Sequence, residues 1–150
     1  LEEMGCRSVE EEDGIKLFPP ENAMHGGKFD LSAFSDQALT LAVISCFADS
    51  PVTITGIGHI RFQECDRFQA IVSNLTRMGI ECEKVDEETI CIHPGKPKPC
   101  EIETFEDHRV AMSFAILGLV TSGIVILNPG CCRKTFETYF DVLESEICMG

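Results

Sequence analysis

Residues 27–61, GKFDLSAFSDQALTLAVISCFADSPVTITGIGHIR, decide how the chain is read. The stretch runs from a short strand through a polar break into a helix predicted from about Ala38 to Ala48. A turn, a β-branched strand and a loop with basic residues follow. The helix is apolar nearly all round, so it is expected to be buried on every side. Residues 100–134, CEIETFEDHRVAMSFAILGLVTSGIVILNPGCCRK, repeat the same order of features, with a second buried helix expected from about Val110 to Val120. Gly118 is the one weak point in that second helix.

The repetition extends outward. LEEMGCRSVEEEDGIKLFPPE at residue 1 resembles LTRMGIECEKVDEETICIHPG at residue 75: Leu, Met and Gly recur at an offset of 74, then acidic residues lead into a short alternating strand and a proline. Such internal similarity is the first organisational signal to weigh. Each basic loop also opens into a helix with one apolar face. Phe68, Ile71, Val72, Leu75 and Met78 mark the first, and Phe136, Phe140, Leu143 and Ile147 the second, both at the 3.6-residue period. The repeating unit is therefore strand, buried helix, strand, amphipathic helix, strand, strand. The fold class is mixed α+β, built of βαβαββ units. Residues 1–25 read as the tail of one unit, 26–95 as a complete unit and 96–150 as a unit lacking its last two strands. The first residues read as the end of a helix, and the last unit stops before its hairpin, so the chain is expected to be a piece of a larger enzyme.

Bulk properties narrow the function. The 150 residues suit one domain, and the 44% hydrophobic content rules out a disordered chain. A formal net charge of −13 argues against general nucleic-acid binding, which wants a basic face. No apolar run approaches the roughly 20 residues of a membrane span. The nine cysteines are odd in number, form no CxxC and lie mostly within apolar patterns. They read as reduced thiols of a cytoplasmic protein, with no disulfide framework and no metal site. Neither GxGxxG nor GxxxxGK[ST] occurs, so nucleotide binding lacks its usual support.

Against this acidic background the basic residues cluster. Arg61, Arg67, Arg109, Arg133 and Lys134, five of the twelve lysines and arginines, fall in HIRFQECDR (59–67), DHR (107–109) and CCRK (131–134). Each motif adjoins the start of a predicted helix, where free N–H groups favour anions. A phosphate or carboxylate site follows. Structural readings stand beside it: Asp36 and Asp107 as helix caps, Glu64 and Asp66 as first-turn acids, and Arg67 paired with Glu64 three residues before it.

The stretches SDQALTLAV, RFQECDR, DHRVAMSFA and NPGCCRKTFETYFDVL make the chain similar to the 5-enolpyruvylshikimate-3-phosphate synthase family, across nearly its whole length. The resemblance implies two domains of βαβαββ units around buried parallel helices, of which this chain covers part of the C-terminal one. It implies transfer of the enolpyruvyl group of phosphoenolpyruvate to the 5-hydroxyl of shikimate 3-phosphate, without metal or organic cofactor. Partners are then those two substrates and the remaining N-terminal part of the enzyme, with no nucleic acid and no membrane. Carried over residue by residue, Asp36 is the proton acceptor and a shikimate 3-phosphate contact, and Glu64 exchanges a proton with the methylene carbon. Arg67 and Arg109 hold the phosphoenolpyruvate carboxylate, Lys134 its phosphate, and His108 positions an arginine or a proton beside them. His59 and Gln63 fall at shikimate 3-phosphate positions where the family commonly has asparagine and lysine. Alternative readings are the related UDP-N-acetylglucosamine transferase, which the DHR and RKTF motifs disfavour, and a non-catalytic anion-binding or assembly module.

Overall fold

The computed structural model describes residues 1–148. It is a mixed α/β fold. Strands β1 (Arg7–Glu11) and β2 (Gly14–Phe18) form an antiparallel hairpin. Then come β3 (Gly27–Asp30), α1 (Ala38–Ser45), β4 (Val52–Thr55), α2 (Arg67–Arg77), β5 (Cys82–Lys84) and β6 (Ile90–Ile92). Their sheet has the order β3-β4-β6-β5, with β3 parallel to β4 and the other pairs antiparallel. The pattern resumes with β7 (Cys100–Ile102), α3 (His108–Gly118) and β8 (Ile124–Ile126), β7 and β8 again pairing in parallel across a helix.

The three long helices pack on one another and on the sheet. Ala38, Leu39, Ala42 and Val43 of α1 are shut off from water, as are Val110, Ala111, Phe114 and Leu117 of α3. The amphipathic face of α2 closes the core with Phe68, Ile71, Leu75 and Met78, while Val72 packs at its edge. Burying a Leu, Ile or Phe side chain contributes about 1.5–3 kcal/mol, so α1, apolar but for Thr40 and Ser45, is held by its surroundings.

The recurring L-x-x-M-G is a helix stop. At the end of α2 the Gly79 N–H donates to Thr76 O and the Ile80 N–H to Leu75 O, with Gly79 at φ 76°. This pair of bonds satisfies the last carbonyls and needs a left-handed residue, which glycine supplies at no steric cost. Gly5, at φ 90°, does the same after Glu2–Met4: its N–H meets Glu2 O and the Cys6 N–H meets Leu1 O.

Two expectations shift. Helix α1 ends at Ser45, and Ala48 already bridges to Met24 beside the sheet. The second amphipathic helix, expected along Phe136, Phe140 and Leu143, is only a four-residue turn, α4 (Tyr139–Val142), running into a wider π-type turn. Phe136 is 41% exposed and neither Phe140 nor Leu143 is buried; the Ile147 side chain lies outside the described residues. No strand or long helix packs across that face within the described residues, and an unpacked apolar face cannot stabilise a short helix. Tyr139 alone reaches inward, its hydroxyl donating to Met112 O at 3.0 Å.

Candidate active site

Most of the charged residues of interest stand where a helix begins. Asp36 lies in the 3₁₀ turn Ser35–Gln37 that leads into α1. Gln63 and Glu64 follow the 3₁₀ turn Gly58–Phe62, and Arg67 is the first residue of α2. Asp107, His108 and Arg109 open α3, and Lys134 ends the turn Pro129–Lys134. The loop before α3 is fixed by buried Asn74 of α2, whose amide donates to Glu103 O at 3.0 Å and accepts from the Glu103 N–H at 3.1 Å. Phe105 and Glu106 then take φ of 53° and 60°. Left-handed backbone at two successive side-chain-bearing residues is strained and persists only where its surroundings impose it.

Arg67 organises the site. Its side chain is only 4% exposed and faces Asp107, at 0%. Nε donates to Asp107 Oδ2 at 2.7 Å and Nη2 to Oδ1 at 3.3 Å, a forked pair. The remaining nitrogen, Nη1, donates to Asp36 Oδ1 at 3.1 Å and to Gln63 Oε1. Arg109 Nη2 approaches the other oxygen, Asp36 Oδ2, also at 3.1 Å. Two guanidinium groups therefore grip opposite oxygens of one carboxylate.

A second acid stands beside this pair. Glu64 Oε2 lies 2.8 Å from Lys134 Nζ and accepts from His108 Nδ1 at 3.0 Å. The Lys134 ammonium, more than His108, holds the Glu64 carboxyl below the usual range, and Glu64 in turn raises Lys134. A carboxylate only accepts, so His108 carries a proton on Nδ1. For Asp107, burial works against the charge, but the Arg67 guanidinium and the Arg109 N–H outweigh it and hold the carboxyl low.

Asp36, His108 and Arg109 line a cleft of about 290 Å³ with Thr40, Ser113 and Tyr139. A larger cleft of about 700 Å³ lies at the other end of the helices, around Phe47, Gly95 and Val120, and is mostly apolar. The small cleft is the one lined by the charged Asp36 and Arg109, together with His108. Glu64, Asp107 and His108 bring donor atoms within 4.8 Å of one another. Lys134 and Arg67 already neutralise those carboxylates, so a metal ion would have to displace both.

The structural alternatives sort out unevenly. Asp107 is both the cap of α3, accepting from the Arg109 N–H at 2.8 Å, and the counter-ion of Arg67. Asp66 caps α2 through the Gln69 N–H. Asp36 caps nothing, and Arg67 makes no pair with Glu64. Gln63 touches Asp36 as well as Arg67, at 3.5 Å. His59 Nε2 lies 2.6 Å from the Ser35 hydroxyl, close beside the Asp36 turn. Arg61 turns away: it stacks on the Phe68 ring, 4.0 Å from its centroid, and meets Glu87 at 3.0 Å. Arg133 lies on another face with Phe140 and Asp141. The pairing role of Asp107, 40 residues from Arg67, carried no local sequence signal.

Comparison with known proteins gives a consistent picture. The family described as EPSP synthase (3-phosphoshikimate 1-carboxyvinyltransferase) matches residues 1–143. The chain is 44% identical over 140 residues to a 3-phosphoshikimate 1-carboxyvinyltransferase of Nostoc punctiforme, covering 93% of this chain and 32% of that protein. It is 36% identical to the chloroplastic enzyme of that name from Brassica napus, covering 97% of this chain and 29% of the relative. Among solved structures, an EPSP synthase from Acinetobacter baumannii superposes with a TM-score of 0.80 at 27% identity, over 95% of this chain and 36% of that one. The enolpyruvyl transferase NikO from Streptomyces tendae shares the fold, with a TM-score of 0.72 at 20% identity. The chain thus spans about a third of the length of the curated relatives it matches.

Proposed function

Because this chain belongs to the EPSP synthase family, we propose that it forms part of a 3-phosphoshikimate 1-carboxyvinyltransferase and supplies the cationic side of its phosphoenolpyruvate site. The observation that carries this reading is the shared grip of Arg67 and Arg109 on Asp36. Two guanidinium groups reaching one planar anion, with Lys134 nearby, suit a small reactant bearing a carboxylate and a phosphate. Phosphoenolpyruvate competes with Asp36 for the guanidinium groups, and Asp36, released from them, turns to the shikimate hydroxyl.

Each group then has a task. Asp36 accepts the proton of the 5-hydroxyl as its oxygen attacks C2 of phosphoenolpyruvate. Glu64, once the substrate phosphate draws Lys134 away from it, takes up a proton, delivers it to the methylene carbon and takes one back when phosphate leaves, and His108 holds Glu64 in place through Nδ1. Arg67 and Arg109 bind the carboxylate throughout, and Lys134 binds the phosphate and stabilises it as it departs. His59 and Gln63 contact shikimate 3-phosphate. No metal or organic cofactor takes part. A reducing cytoplasmic setting suits the eight described cysteines, all free thiols.

The remaining shikimate contacts come from the part of the enzyme outside this third, so the chain alone is inactive. The test has two arms. The intact enzyme with Asp36→Ala or Lys134→Ala loses turnover; normal turnover in both variants overturns the site assignment. Mixing this chain with the complementary part restores activity. A well-folded complement that gives none overturns the reading and leaves a non-catalytic anion-binding module.

A further inference from the structure

At the far end of the sheet from these charges, the β5–β6 hairpin carries a second chemical cluster. The register pairs Glu83 with Cys91, and the His93 N–H bonds Glu81 O at 2.9 Å. Glu81, Glu83, Cys91 and His93 therefore alternate onto one face of two adjacent strands, as the period of two requires. The opposite face, with Cys82 and Ile92, packs on the core.

The spacing of the donors is informative. His93 Nε2 lies 3.7 Å from Glu83 Oε1 and 3.8 Å from Cys91 Sγ. Tetrahedral zinc with the usual bond lengths sets its nitrogen and oxygen ligands about 3.4 Å apart and its nitrogen and sulfur ligands about 3.6 Å apart. Glu81, Glu83 and His93 bring one ligand atom each within 4.8 Å of one another, and Cys91 Sγ touches that set through His93 alone. The Thr53 hydroxyl donates to Cys91 Sγ at 3.6 Å, the kind of outer contact that steadies a metal-bound sulfur. Within the described residues no lysine or arginine stands within 4.0 Å of either glutamate, and His93 is the single ion-pair partner of Glu83. Two like charges on one strand face are destabilising unless something neutralises them.

We propose that Glu81, Glu83 and His93 bind a borderline divalent metal ion of the zinc type, which draws in the adjacent Cys91 thiol as its fourth ligand, clamps the hairpin and takes no part in enolpyruvyl transfer. One imidazole, two carboxylates and a thiolate suit Zn²⁺ better than the all-oxygen preference of Mg²⁺ or Ca²⁺. The ligands come from two strands, so the ion joins β5 to β6 directly.

The experiment is a Co²⁺ titration of the reduced chain followed by Zn²⁺ competition. Expected are one bound ion per chain, a thiolate-to-cobalt charge-transfer band, and displacement by Zn²⁺. Cys91→Ser abolishes the band. His93→Ala and the near-isosteric Glu81→Gln each weaken binding by about tenfold or more, with unchanged circular dichroism in the metal-free state. His108→Ala and the double change Cys131→Ser, Cys132→Ser leave the site intact. The proposal is overturned if no ion binds, if His93→Ala and Glu81→Gln bind as tightly as the parent, or if only the His108 or Cys131 and Cys132 variants lose the metal.

Discussion

Arg67 and Arg109 take opposite oxygens of a single carboxylate, that of Asp36, each at 3.1 Å. They come from helices 42 residues apart in sequence, yet both start at the same end of the core. The two differ in support. Arg67 is wedged against buried Asp107, whereas the Arg109 side chain is 38% exposed and has Asp36 as its ion-pair partner.

That difference separates two lysine substitutions. Arg109→Lys keeps the charge but loses the fork, so about 2 kcal/mol of anion binding goes, or roughly 30-fold in kcat/KM for phosphoenolpyruvate. Chain stability hardly changes, because an exposed pair contributes little. Arg67→Lys loses comparable activity and also destabilises the chain, since one ammonium cannot serve Asp107, Asp36 and Gln63 together. Steady-state kinetics of the intact enzyme and urea denaturation of the chain check this; equal stability losses in both variants refute it.

Asp107→Asn tests the buried pair alone. Asparagine caps a helix about as well as aspartate, so the α3 cap survives. Arg67 is left buried with only Asp36 as counter-ion, and the expected loss is about 2 kcal/mol, somewhat below the cost of a wholly orphaned charge. A loss under about 0.5 kcal/mol, measured by denaturant unfolding, contradicts that role.

The same residue sets the acid limb of stability. The Asp107 carboxyl is held below its ordinary range in the folded chain. Its contribution is therefore complete above the unfolded value of about 3.9 and drains away as pH falls through the lower folded value. Glu64, lowered chiefly by Lys134, acts in the same direction. The stability gap between the parent and Asp107→Asn should be full at neutral pH and should close as pH falls through the lowered folded value, below which both side chains are neutral. Unfolding curves taken across the acid range read the gap directly. A gap that stays constant assigns the effect to packing and not to charge.

Much of this was legible in the chain, and the reasons are local. L-x-x-M-G twice marks a helix stop because glycine alone takes the left-handed position cheaply. The apolar α1 and α3 announce burial, which α3 meets along Val110, Ala111, Phe114 and Leu117 but not at Ile116, which stays 39% exposed where burial on every side was expected. The charges cluster at helix starts, which sequence spacing can place. Pairing is another matter. Asp107 meeting Arg67, or Glu64 meeting both His108 and Lys134, depends on how units dock, and no short-range pattern encodes it. The helix expected from Phe136 to Leu143 failed because periodicity states a preference for burial and cannot supply the surface that would satisfy it.

The thiols offer a test of burial. Cys46 and Cys132 are each 2% exposed, and burial pushes both up to about 12. Their thiolate fraction near neutral pH is then roughly 10³-fold below that of a free cysteine. Iodoacetamide labelling of the native chain, mapped by mass spectrometry, should reach the partly exposed Cys6 and Cys131 first and Cys46 and Cys132 last. Early labelling of Cys46 contradicts the packing of α1 against its neighbours.

Gln63 is the sharpest test of specificity. Its amide accepts from Arg67 Nη1 and donates weakly toward Asp36. Gln63→Lys replaces that neutral contact with an ammonium. The acceptor for Arg67 disappears and two cations come close together, so the ligand-free chain should lose about 1 kcal/mol. A doubly charged phosphate ester gains a partner at the same spot, and a charge-assisted contact is about twice as strong as a neutral one. KM for shikimate 3-phosphate in the intact enzyme should fall several-fold, KM for phosphoenolpyruvate should change less, and the gain should shrink as salt is added. If shikimate 3-phosphate binding is unchanged at low ionic strength, residue 63 does not face that substrate, and its part in the site reduces to holding Arg67.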